Sequence, residues 1–196
     1  MIDPVYQEAL ERMRHVFAEA AKSGVAYPNA MTLATVDSSG QPTLRTMMVR
    51  QFDEQGLLFF TNINSRKGGH LEVNPRAALC LFCGPLNQQL TIEGSVARLD
   101  DSEADRYWRN RDRDGQLAAL VSDQSAALGD LDELKAQVQQ VRQQYQDGRV
   151  PRPLHWAGYR LEPDRIEFWH SGWRHLHDRI CFQREQNNWV MTRLQP

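Results

Sequence analysis

The sequence predicts an α+β fold in which an antiparallel β-sheet is surrounded by helices. Three observations predict it. Short apolar runs separated by turn residues fill 30–99 and return at 157–196. Apolar residues recur at helical spacing in 1–24 and again in 101–147. No apolar run is long enough to span a bilayer, so these segments must pack on one another. At 196 residues the chain is expected to form one domain, 1–196, with the helices as additions to a strand core.

Each element follows from local chemistry. Asp3 caps a first helix with Pro4 at its first turn, and Gly24 ends it. Tyr6, Leu10, Met13 and Phe17 share one face of that helix, while His15 reads as a surface residue. Ala30–Val36 and Leu44–Arg50 alternate as two strands of a hairpin. Asp53-Glu54-Gln55-Gly56 is a turn, and Leu57–Thr61 is a continuous apolar run suited to a strand buried on both faces. Asn64 or Ser65 caps a short helix over Arg66–Glu72, stopped by Asn74-Pro75. Ala77–Cys83 and Gln88–Leu99 flank a Gly84-Pro85 turn. The result is an antiparallel meander whose edges must be closed or covered.

Helices are expected over Asp101–Arg109 and Gln116–Val121, with Ser122–Ser125 as a polar loop. Asp130–Glu133 reads as a capping box. The helix it opens carries Leu131, Leu134, Val138, Val141 and Tyr145 on one face, and Gly148 stops it. Pro151 and Pro153 stiffen the connection to four strands: Gly158–Leu161, Ile166–Trp169, Leu176–Arg184 and Trp189–Leu194.

The formal net charge of −2 provides no basic field for nucleic acid. With no spanning segment and no signal-like start, a cytoplasmic, membrane-free protein is expected. Cys80 and Cys83 are three apart on a strand and point to opposite faces, so neither a redox pair nor a zinc pair is expected. Cys181 reads as structural. His175 and His177, two apart in an expected strand, share a face, but no third ligand accompanies them and no metal is expected.

The stretch Arg45–Lys67 concentrates the chemistry. Cations at strand ends beside a helix N-terminus make an anion site, and Arg45, Arg50, Arg66 and Lys67 could converge on a phosphate. The same four residues also fit separate solvated charges. The run Arg109–Asp114 has two readings as well. It is a solvated loop, or part of a second anion clamp with Tyr107 and Arg111 one helical turn apart.

In order along the chain stand Pro28-Asn29-Ala30-Met31, Ala34-Thr35-Val36-Asp37, Arg45–Arg50, Phe60-Thr61-Asn62, Ser65-Arg66-Lys67, Asn74-Pro75-Arg76, Gln89, Tyr107, Arg111, Val121-Ser122, Gln124-Ser125, Glu167-Phe168-Trp169, Leu176-His177-Asp178-Arg179 and Arg193-Leu194-Gln195-Pro196. In that order and spacing the chain resembles the pyridoxine/pyridoxamine 5'-phosphate oxidases, which are FMN-dependent flavoproteins. The resemblance implies a split β-barrel homodimer with FMN between subunits. Arg45, Arg66 and Lys67 would hold the phosphate end of FMN. Val49, Arg50, Phe60 and Thr61 would line its groove, and Gln89, Trp169 and Arg179 would contact the flavin. Gln124 and Ser125 would come from the partner subunit.

The resemblance also implies a small phosphorylated substrate held by Tyr107, Arg111 and Arg50, with His177 and His175 near the reacting carbon. The reaction would yield pyridoxal 5'-phosphate, with dioxygen as acceptor and hydrogen peroxide as product. Arg50 stands where the family has lysine, Gly115 where it has serine, and His175 where it has arginine, with Arg174 one place early. The cofactor side therefore matches more fully than the substrate side. An FMN oxidase or reductase for another small molecule, such as a phenazine-pathway intermediate, and a non-catalytic flavin-binding dimer are the alternatives.

Overall fold

The structure is a computed structural model and describes residues 2–196. Helix α1 (Pro4–Lys22) begins where Asp3 Oδ1 accepts from the amides of Val5 and Tyr6. Its buried face carries Tyr6, Leu10 and Met13, and Phe17 stacks on Phe52. Full burial of side chains such as Leu10 and Met13 contributes about 1.5–3 kcal/mol each. Ser23 caps the far end, and Gly24 then takes a positive φ of 82°.

Strands β1 (Ala30–Val36) and β2 (Pro42–Met48) form the expected hairpin. The strand expected to reach Arg50 stops at Met48. There Asn29 takes over Val49, donating to its carbonyl and accepting from its amide, and the Arg50 amide donates to the Leu58 carbonyl. The chain thus passes from pairing with β1 to pairing with β4 (Gly56–Asn62) through the short β3 (Gln51–Asp53). Every residue of β4 is buried, as its continuous apolar run predicts. Helix α2 (Arg66–Val73) is capped by Ser65, followed by β5 (Arg76–Cys83) and β6 (Gln88–Arg98).

The hairpins are those of a meander, but the sheet is not in sequence order. It runs β2-β1-β5-β6-β7-β4-β3, with β8 (Asp178–Glu185) and β9 (Asn188–Leu194) paired beyond one end of β7 (Trp156–His170). The path places β2 and β3 at opposite edges, yet only Val49 and Arg50 separate them. The sheet must therefore curl until its edges meet, which makes the antiparallel split-barrel architecture expected from the resemblance. The interior holds Leu33, Phe59, Leu79, Ile92, Leu161 and Phe182 beneath α1.

Two expected C-terminal strands are one. Glu162-Pro163-Asp164 separates the two expected strands, but β7 continues through it as a bulge: Pro163 pairs with Gly94 and Arg165 with Glu93, leaving Asp164 as the extra residue. A proline is tolerated at such a bulge, where a ladder donor is not needed. Helices α3 (Asp101–Asn110), α4 (Arg113–Val121) and α5 (Leu131–Gln144) cover the barrel's other side, with Trp108, Leu117 and Trp156 in a second small core. Asp130 caps α5 through the Asp132 amide. Val138, Val141 and Tyr145 pack inward, but Leu131 is exposed. Cys80 and Cys83 lie on opposite faces of β5 as expected, and no cluster of metal-ligating side chains occurs among the described residues. No helix among them is long and apolar enough to cross a membrane.

Candidate active site

The end of β4 and the start of α2 bring the predicted cations together. Lys67 is only 6% exposed. Its ammonium donates to Thr61 Oγ1 at 3.1 Å, Ser65 Oγ at 3.3 Å and Gln124 Oε1 at 3.1 Å. Burial, with Arg45 nearby as a secondary cause, pulls its pKa from 10.5 to about 8. Arg45 lies along the β1–β2 pair. Its Nη1 donates to the Leu33 carbonyl at 3.1 Å and to Thr35 Oγ1 at 2.7 Å, and its Nη2 donates to Thr43 Oγ1. Burial and then the neighbouring Arg66 hold the Arg45 pKa below its ordinary value.

Gln124 and Ser125 correct an expectation. Within a single chain they already meet this cluster, where the resemblance implied residues of the partner. Thr61 Oγ1 donates to Gln124 Oε1 at 3.0 Å, and the Arg66 amide donates to Ser125 Oγ at 3.3 Å. The loop after α4 folds back over α2's first turn, with Ser125 at a φ of +77°, a left-handed conformation that L-residues seldom adopt. Such local strain concentrates where a side chain must be aimed.

Beside this cluster opens a cleft of about 220 Å³ lined by Met47, Phe60, Thr61, Arg111, Gln124 and Trp156, among others. Phe60 stacks on Trp156 at 4.7 Å and meets Tyr107 at 4.6 Å. Arg111 lies over Trp156 at 5.7 Å. Tyr107 and Arg111 do converge, but not as one helical turn. Arg111 caps α3 in an extended conformation, and α4 starts two residues later. The run read as a loop is thus mostly helix ends around that break. Tyr107 donates to Gln51 Oε1, and burial raises its phenol pKa. Arg111 Nε is buried without a partner among the described residues, and burial lowers its pKa.

The remaining predicted residues form a second group at the other end of β7. Gln89 pairs across the sheet with Trp169, and Trp169 with Arg179. The His177 ring is 4.8 Å from Trp169. The Gly172 amide donates to His177 Nδ1 at 3.3 Å, so Nδ1 is the acceptor and Nε2 carries the ring's proton in the neutral form. His175 does not share a strand face with His177. It ends a 3-10 turn, Trp173–His175, with φ of +68°, and its ring stands 6.0 Å from that of His177. The expected strand starts only at Asp178. Gly172 makes the turn possible, since a Cβ there would lie 1.8 Å from the Leu176 carbonyl oxygen. Arg174 is likewise outside any strand and covers the Trp173 ring at 4.5 Å. Arg179 is already engaged, by Glu167 at 2.7 Å and by the Gln195 carbonyl at 2.9 Å.

Two family descriptions match the chain: pyridoxamine 5'-phosphate oxidase over residues 17–145, and pyridoxine 5'-phosphate oxidase C-terminal dimerisation region over 156–196. The chain belongs to the pyridoxamine 5'-phosphate oxidase family. A pyridoxine/pyridoxamine 5'-phosphate oxidase of Myxococcus xanthus strain DK1622 is 43% identical over 196 residues, covering 100% of this chain and 94% of the relative. One of Acaryochloris marina is 44% identical over 180 residues, covering 92% and 82%. Among solved structures, PhzG of Burkholderia lata 383 in complex with tetrahydrophenazine-1-carboxylic acid superposes with a TM-score of 0.92 at 32% identity, covering 100% of this chain and 98% of that one.

The residues present fit the flavin nucleotide of this oxidase family. Among the described residues, no ion pair joins Arg45, Arg50, Arg66, Lys67 or Arg111 to a carboxylate. Lys67 and Arg45, partly buried and hydrogen-bonded only to neutral acceptors, are set to take an anion from outside. Arg50 and Arg66, by contrast, are exposed, and Arg111 has the Asp112 carboxylate nearby. The sequence reading missed several residues of the site. His70, 3.2 Å from Thr35 Oγ1, and Gln51, the acceptor for Tyr107, are the main ones. Thr43, another, was signalled by the alternation that puts it on one face with Arg45; no local pattern signalled His70 or Gln51.

Proposed function

We propose that this chain is an FMN-dependent oxidase that converts pyridoxamine or pyridoxine 5'-phosphate to pyridoxal 5'-phosphate, with dioxygen as acceptor. The observation that carries the reading is the pair of partly buried cations Lys67 and Arg45, held only by neutral acceptors, beside an aromatic-walled cleft, in a chain of this family. FMN is the cofactor, and when bound it supplies the redox chemistry. Arg45, Arg66 and Lys67 hold its phosphate, with Thr61, Gln124 and Ser125 fixing the surrounding loop. Val49 and Phe60 line its groove. Arg50, Tyr107 and Arg111 bind the substrate's phosphate, and Arg111's unpartnered Nε is a donor that phosphate satisfies. Phe60 and Trp156 exclude water from this side. His177 directs Nε2 toward the substrate as a hydrogen-bond donor, its orientation set by the Gly172 amide.

The two groups of site residues lie toward opposite ends of β7. Trp156 and Trp169 are separated by roughly 40 Å of strand path at the usual rise. Trp169, His177 and Arg179 fall within the matched dimerisation region. In the proposed homodimer, Gln89, Trp169 and His177 of one protomer complete the phosphate half of the other. Mixing variants tests this. Lys67→Ala and His177→Ala, each impaired at limiting FMN, should regain activity when unfolded and refolded together, because hybrid dimers rebuild one intact site. Equal impairment of the mixture would place both halves in one chain.

A second reading takes a phenazine-type substrate. It is favoured by the likeness to the Burkholderia lata protein and by Gly115 and His175 at family serine and arginine positions. Preference for a phosphorylated over an unphosphorylated B6 substrate separates the two readings.

A further inference from the structure

Arg45 does not reach its position unaided. Thr35, on β1, is fully buried, and its hydroxyl has two neighbours: Arg45 Nη1 at 2.7 Å and His70 Nδ1 at 3.2 Å. His70 is itself buried and lies on α2, one turn after Arg66 and Lys67. A hydroxyl has one proton and two lone pairs, whereas a guanidinium only donates. Arg45 therefore occupies a lone pair, and the hydroxyl proton needs an acceptor elsewhere. In the Nε2-protonated tautomer, His70 Nδ1 is that acceptor and turns the proton away from the guanidinium. Without it, the hydroxyl can rotate and present its proton to a cation.

We infer that His70 is a positioning residue for FMN phosphate capture, acting through Thr35 to hold Arg45 in line with Arg66 and Lys67. The inference rests on the proposed flavin site. It adds a contact by which α2, the helix bearing Arg66 and Lys67, also fixes the strand-borne cation. Thr43 and the Leu33 carbonyl hold the rest of the guanidinium, so loss of His70 should loosen Arg45 without releasing it.

The test measures dissociation constants of FMN and of riboflavin, which lacks the phosphate, on apoprotein. His70→Leu keeps the volume but removes the acceptor. His70→Asn keeps an acceptor near the Nδ1 position. His70→Leu and Thr35→Val should each weaken FMN by roughly 5–10-fold, the loss of about one neutral hydrogen bond. Riboflavin binding should stay unchanged, and His70→Asn and Thr35→Ser should restore most of the FMN affinity. In an Arg45→Ala background, His70→Leu should have no further effect. Equal weakening of FMN and riboflavin, or full additivity with Arg45→Ala, would overturn the inference and leave His70 a packing residue. If Arg45→Ala itself leaves FMN affinity intact, the phosphate site is misplaced, and it is the functional reading that fails.

Discussion

Replacing Lys67 by methionine should separate binding from stability, because the same burial that prepares the ammonium for phosphate penalises the apoprotein. The folded chain holds the Lys67 pKa at about 8, against 10.5 for the ordinary side chain. A lysine whose folded pKa is depressed destabilises the fold wherever the unfolded chain keeps it charged. The penalty is fully present below pH 8 and fades as pH rises toward 10.5. The shift corresponds to about 3 kcal/mol at pH 7, falling to about 1 kcal/mol at pH 9.5. Methionine fills similar space without a charge, and Thr61 still has Gln124 to donate to. In urea titrations of apoprotein, the stability of wild type relative to Lys67→Met should therefore rise by about 2 kcal/mol between pH 7 and pH 9.5. FMN affinity should fall by about 1.5–3 kcal/mol, the scale of a charge-assisted hydrogen bond. A stability difference that does not change with pH, together with unchanged FMN affinity, would refute both the buried cation and its role.

Other perturbations probe the rest of the site. Arg45→Ala should weaken FMN by about 1.5–3 kcal/mol, measured by quenching of flavin fluorescence. Tyr107→Phe should raise KM for the phosphorylated substrate by roughly 5–10-fold and leave the unphosphorylated one unaffected, the loss of one hydrogen bond. Gly115→Ser should lower kcat/KM, although it restores the family's residue type. Its Cβ would lie 2.9 Å from Arg111 Nε and 2.8 Å from an Asp112 carboxylate oxygen, displacing Arg111 or the α4 cap. A gain in kcat/KM would show that Arg111 can move aside. Glu167→Gln should cost about 2 kcal/mol by thermal unfolding, because this buried carboxylate pairs with both Arg165 and Arg179.

The cation cluster proposed to hold the cofactor was legible in the sequence because it is local. Thr61, Ser65, Arg66 and Lys67 lie within seven residues at a strand–helix junction whose turn and cap signals are strong. Leu57–Thr61 announced its burial by composition alone. What misled was context beyond the local pattern. Pro163 reads as a terminator unless the bulge at Asp164, opposite Glu93 and Gly94, is known. His175 and His177 alternate like strand residues, but the close approach of Gly172 to Leu176 forces a turn. That the Gln124–Ser125 loop returns to Lys67 of its own chain is a property of loop path, to which residue identity is blind. The role of Arg179 was obscured for a different reason. Its claimants, Glu167 and the Gln195 carbonyl, are 12 and 16 residues away and meet it only across the sheet.

The most direct measurement is the visible spectrum of the purified protein, followed through anaerobic addition of pyridoxamine 5'-phosphate. The account predicts a yellow dimer with one FMN per chain. Its flavin band should bleach with the phosphorylated amine and return on admission of air, and it should respond far less to pyridoxamine. A protein that takes up no FMN, or a flavin that no B6 phosphate reduces but a dihydrophenazine-type acid does, would contradict it.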